Sequence, residues 1–233
     1  MNFLKIKNFL LVFLIIFSYL ISVVKTYAVD ITADSTISSS SDGDQYNIKT
    51  NNDIDVIVTN NSTLERNQKI FNVSAASLTG SSITIHLGSS VIAETNSIFS
   101  NGAELTITNT GTIEATNSKA INVSNSDGVS ITNNNNGVIK SNNNTILGDA
   151  GTGADNVTID NSGEIYTTAT GTESSAIVFA NNDTGNTITN NSGGEIYSSG
   201  SESTIVLGVS STLTNSGSIK NNKSVTNKAI QLK

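Results

Sequence analysis

The phrase "ITNTGTIEA" at 107–115 returns as "IDNSGEIYT" at 159–167 and as "LTNSGSIKN" at 213–221. A phrase repeated at a near-fixed interval constrains a fold more than local propensity does. Each copy must build the same unit, and no unit can bury its apolar face without a neighbour. Aligned on this phrase, the chain divides into units beginning near Ile31, Val56, Ile83, Leu105, Val129, Val157, Thr187 and Thr212. The interval is about 25 residues, within the range of solenoids.

Three short runs recur inside the later units. The first resembles "LTIT" and the second "TIEA". The third follows a variable polar segment and reads "AINV" (120–123), "AIVF" (176–179), "TIVL" (204–207) or "AIQL" (229–232). Apolar and polar residues alternate in each run, the signature of a strand with one buried face. In the unit from Leu105 the inward set is Leu105, Ile107, Ile113, Ala115, Ile121 and Val123. No window carries the three-and-four spacing of an amphipathic helix. The pattern predicts an all-β chain folded as a right-handed parallel β-helix, about eight coils of three short strands, stacked ~4.8 Å apart.

The polar part of the phrase then reads as corner chemistry. Asn109, Asn135, Asn161, Asn191 and Asn215 are expected at one turn of successive coils, where stacked side-chain amides bond to each other and to the turn backbone. Gly111, Gly137, Gly163, Gly193 and Gly217 follow two residues later and are expected to supply positive φ at the corner. Both sets are structural. Insertions such as "TATGTES" (168–174) and "GDAGTGADN" (148–156) are loops on a regular core. Loops of this kind carry binding in many repeat proteins.

The start of the chain differs. Lys5 and Lys7 precede an apolar run from Phe9 to Val24, and "KTYAVD" follows with Ala28 at a small-residue exit. This predicts a secretory signal peptide over 1–28. An irregular or capping coil is expected over 29–55, and solenoid repeats over 56–233. Without residues 1–28, nine Lys and Arg stand against nineteen Asp and Glu, a net charge of −10. Such a surface argues against nucleic acid as a partner and against simple docking on anionic lipid. The chain has no Cys, so an exported form draws its stability from burial and hydrogen bonding.

Catalytic constellations are sparse. The one Arg is Arg66, and the one His, His86, lies in "ITIHLG" at an outward position. Glu114, Glu164 and Glu195 flank the second-run isoleucine at nearly aligned positions, with Lys140 and Lys220 at equivalent places, which reads as a mixed-charge stripe. No Ser has a base close by in sequence. "GDAGTGAD", with Asp149 and Asp155, offers at most a weak oxygen site, and the glycine-rich nonapeptide of calcium-binding β-rolls is absent. No catalytic, cofactor or metal residue is assigned. One further file recurs on one face: Thr106 and Thr108, Ser130 and Thr132, Thr158 and Asp160, Thr187 and Thr189, Thr212 and Thr214, broken at Asp160 and with only Thr84 offered by Ile83–Leu87. It resembles the flat Thr arrays of ice-binding β-solenoids. Thr is also simply a good strand residue that pairs well with itself.

The recurring coils over 56–233 resemble the passenger domains of bacterial autotransporters. That resemblance implies a signal peptide, an exported β-helical passenger and a C-terminal outer-membrane barrel, with a role in adhesion, aggregation or host contact. The chain ends at "NKAIQLK" inside a coil strand with no barrel in view, so a truncated or split form is expected. The implied protein is non-enzymatic and sits at the cell surface or outside, or in the periplasm if truncated. Its partner is a surface receptor or a second copy, and it meets the outer membrane only through a barrel this chain does not contain. The alternatives are a β-helix enzyme acting on polysaccharide and an ice-binding solenoid.

Overall fold

Every alternating run of the repeat becomes a strand in the computed structural model, which describes residues 28–49, 53–59, 61–74, 79–102, 104–148, 153–223 and 228–232. The expected signal peptide lies outside these residues except for Ala28. No helix is present among the described residues. In the coil from Leu105 the strands are Leu105–Asn109, Thr112–Ala115 and Ile121–Asn125. Each pairs in parallel with its counterpart in the coils before and after, for example Ile107 with Ile83 and with Ile131. Repetition of that step builds three parallel sheets of nine, eight and eight strands, a solenoid of about seven turns. The sheets are called first, second and third below, after the order of strands within a coil.

Parallel strands buried on one face need matched apolar columns. Ile83, Ile107, Ile131, Ile159 and Ile188 form one in the first sheet, and Ile113, Ile139, Ile165 and Ile196 another in the second, all with no exposed surface. The expected inward set of the Leu105 coil is buried throughout, at 1 % exposure or less. Fully burying each such side chain contributes about 1.5–3 kcal/mol, which is how a chain without disulfides holds a narrow core. The first coil already follows this register. Ala28–Ile31 pairs with Gln45–Ile48, and Ser35–Ile37 with Asp55–Val58.

An amide ladder, buried except at its last rung Asn215, runs up the corner between the first and second sheets, on partly different residues from those expected. Asn109 donates from Nδ2 to Asn133 Oδ1 at 2.9 Å, and Asn133 to Asn161, Asn161 to Asn190 and Asn190 to Asn215 at 2.8 Å each. Asn133 and Asn190, not Asn135 and Asn191, are therefore the rungs. Asn135 is exposed, and Asn191 lies outside the ladder, bonded to Asp160 and to Ser162 Oγ. These two coils carry a longer corner, four residues from rung to glycine instead of two.

The glycines also act differently from expectation. Of the five expected, only Gly193 has positive φ, at 89°. Gly194, not Gly193, occupies the corner position equivalent to Gly111, Gly137, Gly163 and Gly217. At that position the constraint is contact along the stack. A Cβ on Gly163 would sit 2.2 Å from Gly137 O and 2.5 Å from Asn134 O, backbone atoms of the preceding coil.

Candidate binding surface

Once apolar columns fill the interior, function is left to the outward columns and loops. On the first sheet the outward positions form two files over six coils. One runs Ser82, Thr106, Ser130, Thr158, Thr187, Thr212 and the other Thr84, Thr108, Thr132, Asp160, Thr189, Thr214. The hydroxyl file expected from sequence is therefore in register, and it extends one coil further back, to Ser82 and Thr84.

The third sheet presents a mixed file. Asn72 donates to Asn47 Oδ1 and Asn47 to Asp30 Oδ1, and Lys69 lies 3.7 Å over the Phe99 ring. Farther along, Leu147, Val178 and Val206 form a small apolar cluster at 6–8 % exposure. Beyond this strand the loop with Ala154 is clamped by Asp183, whose carboxylate accepts from Ala154 N and Ala180 N. Asp149 lies outside the described residues. Asp155 Oδ1 accepts from Thr184 Oγ1 at 3.1 Å, and no group of three His, Cys, Asp or Glu converges among the described residues.

The isolated candidates from sequence stay apart. His86 lies just past its strand, exposed, with Nδ1 3.2 Å from Thr59 Oγ1. Arg66 donates from Nη1 to the Gln45 side-chain Oε1 at 2.7 Å and to the Lys69 backbone O at 3.0 Å, which holds it against its neighbours.

The second sheet carries the most varied chemistry. The single expected stripe of Glu and Lys is two columns. Register places Glu114, Lys140, Tyr166, Tyr197 and Lys220 in one, and Thr112, Val138, Glu164, Glu195 and Ser218 in the other. Glu114 is therefore level with Lys140, while Glu164 and Glu195 stand two residues earlier along their strands. Lys140 Nζ lies 2.9 Å from Glu114 Oε2, with both side chains about three-quarters shielded. The hydrogen bond to Glu114 raises the Lys140 ammonium above the usual lysine range, against a smaller opposing effect of burial. One step on, Tyr166 and Tyr197 stack with centroids 4.5 Å apart and planes 7° from parallel. Tyr197 donates its hydroxyl to Glu164 Oε2 at 3.2 Å. Burial, then the Glu164 carboxylate, pushes the Tyr197 phenol well above its ordinary range.

These leanings open a gap. Lys140 tilts back one coil to Glu114, while Tyr166 lies against Tyr197 on the other side. A depression of about 320 Å³ lies along the strand ends, lined by Glu114, Thr116, Lys140, Asn142, Tyr166 and Thr168. Two more depressions continue it toward the start of the chain. The first is bordered by Glu65, Arg66, Glu94, Thr116 and Asn117, and the second by Ser40, Ser41, Thr63 and Glu65. Thr116 is shared by the first two, which both lie at the strand ends and form one shallow groove there, while the third, with Ser41 and Thr63, lies at the strand starts. Sequence reasoning missed this groove and the tyrosine pair. The available signal was the repeated "GEIY" at 163–166 and 194–197, which places a tyrosine at the same strand position in adjacent coils.

Fold and faces together define a parallel β-solenoid. Compared with known proteins, the chain matches no protein-family model, no curated protein and no solved structure.

Proposed function

We propose that this chain is an exported β-solenoid of the autotransporter-passenger type that works by surface contact, in adhesion or self-association. The observation that carries this is the regular set of outward columns, with hydroxyl files over six coils and, on the second sheet, a column of Glu114, Lys140, Tyr166, Tyr197 and Lys220. Such faces suit extended contact with a receptor or with a second copy. Bacteria displaying the chain on their surface should adhere or clump more than bacteria displaying an unrelated solenoid. Equal behaviour of the two strains would reject the proposal.

A second reading follows from the first-sheet hydroxyl files, one unbroken from Ser82 to Thr212 and the other interrupted at Asp160, as an ice-contacting face. Thermal hysteresis that is lost on Thr108→Tyr would support it, and no hysteresis in the unaltered chain would end it.

A further inference from the structure

We propose that the corner groove of the second sheet is a binding site for a neutral oligosaccharide, with Tyr166 as its stacking wall. The proposal deepens the surface-contact function by naming the class of ligand.

Three features converge. First, one face of Tyr166 is taken by Tyr197, so the other borders the depression that begins at Lys140. The stack and the Tyr197–Glu164 hydrogen bond hold Tyr166 in place before any ligand arrives. A fixed aromatic face beside polar groups is the surface on which the C–H face of a pyranose packs while its hydroxyls reach sideways.

Second, the polar lining supplies both halves of hydroxyl recognition. The Glu114 carboxylate accepts, the Lys140 ammonium donates, and the Asn142 amide does both. The two charges are already paired at 2.9 Å, so the immediate site is electrically balanced. Farther along, Glu65, Glu94, Glu164 and Glu195 outnumber the one cation lining that stretch, Arg66, which is held by Gln45 and Lys69 O, and leave the surroundings acidic. Uronic or sialic acids are repelled there, while an uncharged sugar is not.

Third, the groove runs across successive coils. The two depressions that share Thr116 cross the coils that hold Glu65, Ile92, Glu114, Lys140 and Tyr166, four steps of ~4.8 Å or roughly 19 Å. The step between coils is comparable to the advance of an extended glycan from one sugar to the next, so a linear chain meets one coil per residue.

The test uses the full chain and a panel of neutral gluco-, manno- and galacto-oligosaccharides, with uronate- and sialate-bearing glycans alongside. Binding is followed by amide chemical-shift perturbation. At least one neutral oligosaccharide is expected to bind with shifts confined to the groove residues 65–67, 92–94, 114–117, 140–142 and 166–168, and the acidic glycans at least tenfold more weakly. Tyr166→Ala should weaken binding tenfold or more. Tyr166→Phe, which keeps the ring, should bind within about threefold of the unaltered chain. Should Tyr166→Ala fail to fold, Lys140→Met serves as the second variant and should weaken binding at least fivefold.

Absence of binding by every neutral glycan at millimolar concentration would overturn the proposal. So would equal binding of acidic glycans, or shifts mapping to another face. Adhesion or clumping that persists in a folded Tyr166→Ala or Lys140→Met variant, with no glycan binding by the unaltered chain, would remove the groove as the contact site while leaving the surface-contact function intact.

Discussion

Truncation of one rung in the middle of the amide ladder isolates the interaction that sets the corner. Asn161 has no exposed surface, accepts from Asn133 Nδ2 at 2.8 Å and donates to Asn190 Oδ1 at 2.8 Å and to Gly163 O at 3.1 Å. Asn161→Ala removes these bonds and leaves Asn190 Oδ1 buried without its rung. A polar group stranded in this way costs about 1–3 kcal/mol, and each net hydrogen bond lost adds about 1 kcal/mol. Asn133 Nδ2 still reaches Gly137 O at 3.1 Å, which limits the damage on that side. With two bonds lost outright and one group stranded, the sum is about 3–5 kcal/mol, or roughly 6–20 °C in melting temperature for a chain of this size. Asn161→Asp is worse, because a carboxylate oxygen then faces the Asn190, Gly163 and Glu195 oxygens in a buried site. Asn135→Ala, on an exposed residue of the neighbouring corner, should change stability by no more than about 0.5 kcal/mol.

Thermal melting followed by circular dichroism near 218 nm reads the whole stack. Stacked repeats can open in sections, so hydrogen exchange at the Ser162 and Asn191 amides, which donate to Asn133 O and Asn161 O, reads the corner directly. If Asn161→Ala and Asn135→Ala melt together and exchange alike, the ladder contributes nothing and the reasoning fails.

Two further outcomes follow from the same geometry. Gly163→Ala forces a Cβ to within 2.2 Å of backbone in the preceding coil and should cost about 2–4 kcal/mol by denaturant titration, whereas Gly193→Ala meets no atom within 4 Å and should cost only about 1–2 kcal/mol for its positive φ. The raised Tyr197 phenol means the unfolded chain gives up that proton first, so its share of stability is complete below the ordinary tyrosine value of about 10 and is lost as pH climbs above it. Melting temperature should therefore fall more steeply between pH 9 and 11 for the unaltered chain than for Tyr197→Phe, and parallel curves would contradict the assignment.

The strands were legible in the sequence because burial on one face writes itself as alternation, and the repeat fixed which strand stacks on which. The rungs were only partly legible. Counting back two residues from glycine finds Asn109, Asn161 and Asn215 but lands on Asn135 and Asn191 where the corner is longer. Counting forward from the core residue succeeds in each of the five coils of the ladder, since Ile107, Ile131, Ile159, Ile188 and Leu213 each precede the rung by two. The strand is the rigid reference and the corner the variable part, so a register anchored on the core survives an insertion. The role of the corner glycines was hidden for a different reason, because a clash between coils leaves no trace in the dihedral preferences of one turn. The groove depends on which way Lys140 and Tyr166 lean, and only the pairing of adjacent coils settles that.

The most direct measurement is a set of methyl cross-relaxation contacts in a deuterated, isoleucine-methyl-labelled sample. Stacked coils in this register predict stepwise contacts from Ile107 to Ile131, Ile131 to Ile159 and Ile159 to Ile188, with none linking Ile107 directly to Ile159. A walk that skips a coil, or that runs through these isoleucines in another order, would contradict the solenoid register on which the ladder and the groove both rest.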